Sequence, residues 1–305
     1  MATCRTRINL GNKTAVKTSK PINKAQMLEK VEHYLIYVKR FSKTSIIGIM
    51  SVMMYLLNHY DISVINADKA REVEEDYNTR GCKPGTIKHV LESLEYLAAC
   101  QGIVNDDGTP LKFPKPKMVR KEVKSLTVFE ARLLLESTCN TRDRAIIALL
   151  LYTGVRSKEL LALDIGDIDT KNRIIHVRAH EDIVKNYHER TCVLSRECVS
   201  ILEEWLNIRP INTGDMALFL NTFGQRLTRG SIHRIVSFTG KRAGIEKHVY
   251  THLLRHTAAS TMIHSGIPIT ECALQLGHRS LASTMIYLHG DIDVLRENID
   301  KKFTY

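Results

Sequence analysis

The chain has 305 residues, 44% hydrophobic and 25% charged, a balance that buries a real core and excludes a disordered or fibrous protein. That length exceeds one small core and suits two domains of ordinary size. The net charge of +11 lies in two stretches: residues 1–24 hold six basic side chains and no acid, and residues 109–125 hold six against Glu122.

Residues 1–24 read as a basic tail, because no apolar run of the kind a secretory signal needs occurs there. Met27, Leu28, Val31, Leu35 and Val38 then recur at three- and four-residue spacing, which predicts an amphipathic helix of about four turns. Further helices are expected over 44–58, over 67–79 before Gly81, and over 85–100 before Gly102. The longest apolar stretch, 46–57, is twelve residues with a glycine and a serine, short of the roughly twenty that cross a bilayer. It reads as a buried helix, so no membrane partner is expected, and residues 25–108 are expected to form a small all-helical domain.

Pro110, Pro114 and Pro116 alternate with lysine across 109–125, the pattern of a linker. Its cations are Lys112, Lys115, Lys117, Arg120, Lys121 and Lys124. Positive charge gathered in flexible segments suits tracking a polyanion such as DNA, and a solubilising linker is the plainer alternative. Charge alone does not choose between them.

A second domain is expected over 126–305. Thr127 and Glu130 have the spacing of a capping box that opens a helix, followed by helices at 142–152, stopped by Gly154, and at 157–163. The β-branched stretches 173–178 and 190–194 read as two strands of a hairpin. Helices follow at 196–207, 229–243, 252–265, 270–276, 280–288 and 291–301. The fold class is mainly α with a small β-sheet, α+β. Seven cysteines, odd in number and never spaced as C-x-x-C, argue against a disulfide framework and for a reducing compartment. H-E-x-x-H is absent and His252 and His256 have no carboxylate between them, so no metal is expected.

The chemistry-bearing residues fall in three phrases. LLLYTGVRSKELLAL places Arg156 after a Thr-Gly-Val turn with Glu159 three residues on, THLLRHTAAS places His252 and Arg255 on one helical face, and LGHRSLASTMIY gives His278 and Tyr287. Singly each has a plain alternative. Arg156 would suit a helix C-terminus, His252 a backbone hydrogen bond, Glu159 a surface ion pair. Tyr287 alone would be an amphipathic side chain on the outer face of a short helix, its hydroxyl in water.

In this order, the phrases resemble the tyrosine recombinases, the family of phage integrases and Xer-type enzymes, over the region from about residue 127 to the end. The resemblance implies a helical core-binding domain that contacts DNA, a basic linker along the backbone and a catalytic domain behind it. It also places a functional lysine in the hairpin turn, which falls on Lys185, the only lysine between Lys171 and Lys241; the flanking glycines of the family phrase are Val184 and Asn186 here.

The implied reaction is phosphodiester transesterification without metal, ATP or other cofactor. Arg156 and Arg255, as planar forks, would hold the scissile phosphate and stabilise its pentavalent transition state. Tyr287 would attack to give a 3′-phosphotyrosyl enzyme, with its hydroxyl exposed on the short helix to reach DNA. His252 would be the base for the phenol, Lys185 the general acid for the leaving 5′ oxygen, His278 a hydrogen-bond donor to the phosphate, and Glu159 an orienting group. The partners implied are double-stranded DNA sites and a homotetramer exchanging strands through a Holliday junction, in the cytoplasm of a bacterial, archaeal or mobile-element host. The tail after Tyr287, with Ile292, Leu295 and Ile299 at helical spacing, would dock on a neighbouring protomer or on its own core.

Only about 24 residues precede the first helix, too few for an added arm-binding domain, which favours a simple dimer resolver, cointegrate resolvase or compact integrase. A catalytically silent DNA-binding protein of the same fold and a type IB topoisomerase are the rival readings. A metal-dependent nuclease is opposed by the lack of clustered carboxylates.

Overall fold

The structure, a computed structural model, describes residues 23–118, 124–178, 189–211, 214–278 and 280–287. The chain divides into two compact units between Arg120 and Lys121.

The first unit is helical. Helix α1 (Lys24–His33) runs into one π-helical turn over Tyr34–Val38, and α2 (Lys43–His59), α3 (Ala67–Thr79) and α4 (Pro84–Cys100) follow. Asn23, Ser42 and Asn66 cap the first three starts through side-chain oxygens that accept first-turn N–H groups. Proline opens the fourth, where its missing N–H costs nothing. Val31, Leu35, Met53, Leu56, Val73 and Leu94 form the centre of the core. The expected helix over the first apolar stretch is present, but its last turn widens to π geometry, which spacing alone does not reveal.

The stretch expected as linker begins as part of this unit. Phe113 is buried in the helical core, and its N–H donates to Glu95 Oε1 at 2.8 Å. Glu95, itself buried, also accepts from Lys112 Nζ at 2.9 Å and from Lys115 Nζ at 2.5 Å. Lys117 and Lys124 are exposed. Arg120 and Lys121 lie outside the described residues.

The second unit packs helices around α6 (Thr141–Thr153), with α5 (Val128–Glu136) before it and α7 (Ser157–Ala162) after. All six residues from Ala145 to Leu150 are buried, so the middle of α6 is apolar all round, as the core of a central helix should be. The expected capping box at Thr127 is present: Thr127 Oγ1 accepts from the Glu130 N–H at 3.1 Å and Glu130 Oε2 from the Thr127 N–H at 2.7 Å.

Strands β1 (Ile168–Asp169), β2 (Ile174–Val177) and β3 (Arg190–Val193) form an antiparallel sheet in that order, with Ile174 opposite Val193 and Val177 opposite Arg190. The two longer strands are the expected hairpin. The first, two residues long, is too short for alternation to register. The hairpin segment 179–188, and Lys185 with it, lies outside the described residues.

Helices α8 (Arg196–Ile208), α9 (Arg229–Arg242), α10 (Thr251–His264), α11 (Ile269–Leu276) and α12 (Ala282–Met285) complete the unit. The last is shorter than the helix expected over 280–288. The helix expected over 291–301, with its docking residues, lies outside the described residues. Among the described residues no helix is long and apolar enough to cross a membrane.

Two close approaches fix how these helices meet. Gly154 ends α6 in the left-handed conformation, φ 63°, and a Cβ there would stand 2.5 Å from Leu276 Cδ2 and 3.3 Å from Ala258 Cβ. Only glycine satisfies both the turn and the contact. On the far side, the Gln275 side chain joins α11 to β3: its amide nitrogen donates to the Val193 carbonyl at 2.8 Å and its amide oxygen accepts from the Val193 N–H at 2.9 Å.

Candidate active site

Glu159 organises one wall. Its carboxylate is 2% exposed and accepts from the Arg156 N–H at 2.8 Å and from Arg156 Nη1 at 2.9 Å. It also takes a bidentate pair from Arg190, Nη1 at 3.0 Å and Nη2 at 2.8 Å. Burial alone would raise the Glu159 pKa, but the hydrogen bonds and charge of Arg190, followed by Arg156, hold it below the ordinary range. Arg156 sits at the N-cap of α7, so the same carboxylate fixes both its backbone and its guanidinium.

Arg255 is buried on α10, with Nη2 donating to the Leu276 carbonyl at 2.8 Å and Nη1 donating to that of Gly154. The glycine contact described above therefore places a carbonyl under this guanidinium. Burial and then the charge of Arg156 push its pKa down to about 10. Two cations held within electrostatic reach of each other, one of them desolvated, favour an anion between them.

Three histidines surround the arginines. His252, in the first turn of α10, has its pKa lowered by burial, then by Arg255, Arg156 and Arg229. His278 shares a 2.8 Å hydrogen bond, through Nδ1, with Thr284 Oγ1. Burial, then Arg255 and Arg156, push it down to about 4, so it is neutral at pH 7. The third, His256, was not singled out from the sequence.

Tyr287 does not stand in water as the sequence suggested. It is 4% exposed, its ring packed on Ala259 and Leu276 with Met262 and Ile263 alongside. The turn after α12 folds it inward, and Thr284 is buried by the same fold. Its hydroxyl meets His256 Nδ1 at 2.6 Å, not the His252 expected to serve it. Burial raises its pKa, against the lowering effect of Arg255 and then Arg156.

The structure thus brings Arg156, Glu159, His252, Arg255, His278 and Tyr287 into one electrostatic neighbourhood. Lys185 lies outside the described residues. Arg190, His256 and Thr284 are additions. His256 lay within the quoted THLLRHTAAS phrase, one turn after His252, but Arg190 carried no signal beyond opening a strand. Among the described residues no group of three or more His, Cys, Asp or Glu side chains could hold a metal ion.

The sequence pattern of the phage integrase family matches residues 121–292. The tyrosine recombinase XerC of Corynebacterium efficiens is 30% identical over 281 residues, covering 87% of this chain and 88% of that protein. The tyrosine recombinase XerA of Saccharolobus solfataricus is 31% identical over 243 residues, covering 79% and 75%. A crystal structure of XerA recombinase aligns over 93% of this chain and 100% of its own, at 27% identity and a TM-score of 0.53. The Tn1549 transposon integrase bound to transposon right end DNA shares the fold, with a TM-score of 0.72 at 18% identity over 91% of this chain and 99% of that one. The chain belongs to the phage integrase family, the tyrosine recombinases.

Proposed function

We propose that this site-specific recombinase cuts and rejoins duplex DNA with Tyr287 as nucleophile and Arg156 and Arg255 as the clamp on the scissile phosphate. The observation that carries the reading is the arginine pair. Each guanidinium is already fixed, one by Glu159 and the other by two carbonyls, so little ordering is left to do when charge develops on the phosphate. The Tyr287 hydroxyl lies in the field of both.

His278, with Nδ1 bonded to Thr284, would offer Nε2–H to a non-bridging oxygen, and its neutrality in the absence of DNA suits a donor in a cationic site. His252, in the field of both arginines from the start of α10, would flank the same phosphate position. Lys185 would protonate the departing 5′ oxygen. Glu159 holds the arginine wall and does not react. The covalent 3′-phosphotyrosine conserves the phosphodiester energy, so neither ATP nor a metal is needed for rejoining.

Exchange between two sites through a Holliday junction calls for four copies of the chain on two duplexes, which we propose as the working assembly, acting on cytoplasmic DNA. The exposed Lys117 and Lys124 would meet DNA phosphates, as would Arg120 and Lys121.

A nicked suicide duplex carrying the recognition site, selected beforehand from a random pool, tests the chemistry. In EDTA it should trap a protease-sensitive adduct that Tyr287→Phe abolishes. No adduct, or one that survives that substitution, overturns the reading. Relaxation of supercoiled DNA lacking the site would instead favour the topoisomerase-like alternative.

A further inference from the structure

The reaction laid out above leaves His256 without a task, although it touches the reacting atom. His256 follows Arg255 directly on α10, and its Nδ1 shares the 2.6 Å hydrogen bond with the Tyr287 hydroxyl. The two rings are 5.5 Å apart, tilted by 50°. His252, the histidine implied as base by the motif, lies one turn away, with its ring centroid 6.5 Å from that of His256.

We propose that His256 is the catalytic base that takes the phenolic proton of Tyr287 as the tyrosine attacks DNA. This rests on Tyr287 being the nucleophile.

The contact is within the range required of a proton acceptor before any rearrangement. The charge states agree with it. Burial, then His252, then Arg255 lower the pKa of His256, which favours the neutral ring, and in its Nε2–H tautomer Nδ1 is the acceptor. Those two neighbours belong to its own helix, and among the described residues Tyr287 is the titratable group that contacts it from another element. The Arg255 guanidinium is turned to the Gly154 and Leu276 carbonyls.

Tyr287 has the opposite tendency, since burial raises its pKa. A phenol that ionises less readily than usual has almost no phenolate at pH 7, so attack needs an acceptor in contact with the hydroxyl. An imidazolium beside Arg255 is unfavourable until the phosphate brings negative charge into the site.

In the step itself the Oη–H bond breaks as the Oη–P bond forms, and the proton passes to His256 Nδ1. The P–O5′ bond breaks, and O5′ takes a proton from the general acid assigned above to Lys185. Rejoining reverses each transfer: the 5′ hydroxyl attacks phosphorus, returning its proton to the acid, and His256 gives its own back to the departing phenolic oxygen. No oxidant, metal or cofactor enters the balance.

The test is single-turnover cleavage of a suicide duplex in which sulfur replaces the leaving 5′ oxygen. A thiolate departs without an acid, so the rate reports the nucleophile's proton alone. Wild-type protein should show a rate that rises with pH and levels off well before the roughly 10 of a phenol, where an imidazole rather than the tyrosine titrates. His256→Asn keeps an acceptor for the hydroxyl but cannot hold the proton. Its rate at pH 7 should fall about 10²–10⁴-fold and climb tenfold per pH unit through pH 9, following the phenolate.

His252→Asn should lower the plateau without removing the levelling. A His256→Asn protein that keeps the wild-type rate and profile overturns the proposal. One that cleaves faster also overturns it, and makes His256 a latch on the tyrosine. Failure of the underlying assignment looks different, as an adduct that persists in Tyr287→Phe. Folding of the variants is checked by their thermal melts and retention of DNA. Should His256→Asn fail to fold, the wild-type profile decides, because a tenfold slope continuing through pH 9 overturns the proposal.

Discussion

Glu159 receives both terminal nitrogens of Arg190, at 3.0 and 2.8 Å, in a position where the carboxylate is almost wholly buried. The pair joins α7 to β3, and the same carboxylate continues to Arg156. Removing its charge strands a buried guanidinium. Glu159→Gln is therefore expected to cost roughly 3–5 kcal/mol of stability, read from urea unfolding of the full chain, and to slow adduct formation in protein that remains folded. A loss below about 1 kcal/mol would mean that water replaces the ion pair and that Arg156 is positioned by something else.

Acid should weaken the second unit through two kinds of group. His278 has a folded pKa of about 4, below the value of about 6.5 for an unfolded chain. Between those two values the unfolded state binds more protons, so stability rises with pH across that window and is lost as pH falls through it. The Glu159 carboxylate, also depressed, adds a loss at lower pH, as the solution drops through its folded value. Thermal melts between pH 4 and pH 7 should show the first slope in wild-type protein and a flatter one in His278→Gln. Equal slopes would show that His278 is not titrating there.

Gly154 offers a test of how the arginine clamp is built. Gly154→Ala forces a left-handed residue and sets a methyl group against Leu276 at 2.5 Å, so a loss of about 2 kcal/mol or more is expected. Because the Gly154 carbonyl receives Arg255, cleavage should fall beyond what the unfolded fraction explains. Gly166→Ala, where an added Cβ meets nothing within 4 Å, is the matched control and should stay within about 0.5 kcal/mol. Similar losses in the two variants would discount the contact.

The linker cations are not equivalent. Lys112, though exposed, and Lys115 are paired with Glu95; Lys117 is exposed further along the stretch. In salt titrations of DNA binding, Lys117→Ala is expected to reduce the slope of log Kobs against log salt by about 0.9, one counterion's worth. Lys112→Ala should change it less. Equal reductions would show that Lys112 leaves Glu95 for a phosphate.

Most helices were legible because their signals are local. Asn66 before Ala67, Thr127 with Glu130 and Gly154 after Thr153 mark ends that the chain uses as written. The arginines, histidines and tyrosine of the site were legible as ordered phrases, and the structure gathers them. What spacing could not give was direction. Whether Tyr287 points to water or inward depends on Ala259 and Leu276, which lie 28 and 11 positions earlier in the sequence. Whether His252 or His256 meets its hydroxyl depends on the rotation of one helix. Arg190 was illegible because its partner Glu159 is 31 residues away, and an arginine at the start of a strand is more often a surface residue. The first half of the linker was misjudged since prolines and lysines look alike on a loose segment and on one tied to a buried carboxylate.

The bond pattern of Gln275 sets a chemical requirement on that position. Its side chain both donates to and accepts from the backbone of Val193, as a neighbouring strand would, and so closes a rung on the outer edge of β3. A carboxylate of the same length has no proton to give the carbonyl, and a lysine has no lone pair for the N–H. Asparagine has the right groups on a shorter stem. The side-chain amide of one helix residue thus occupies, at that rung, the place a further strand would take, and there it denies the edge to the strand of another molecule.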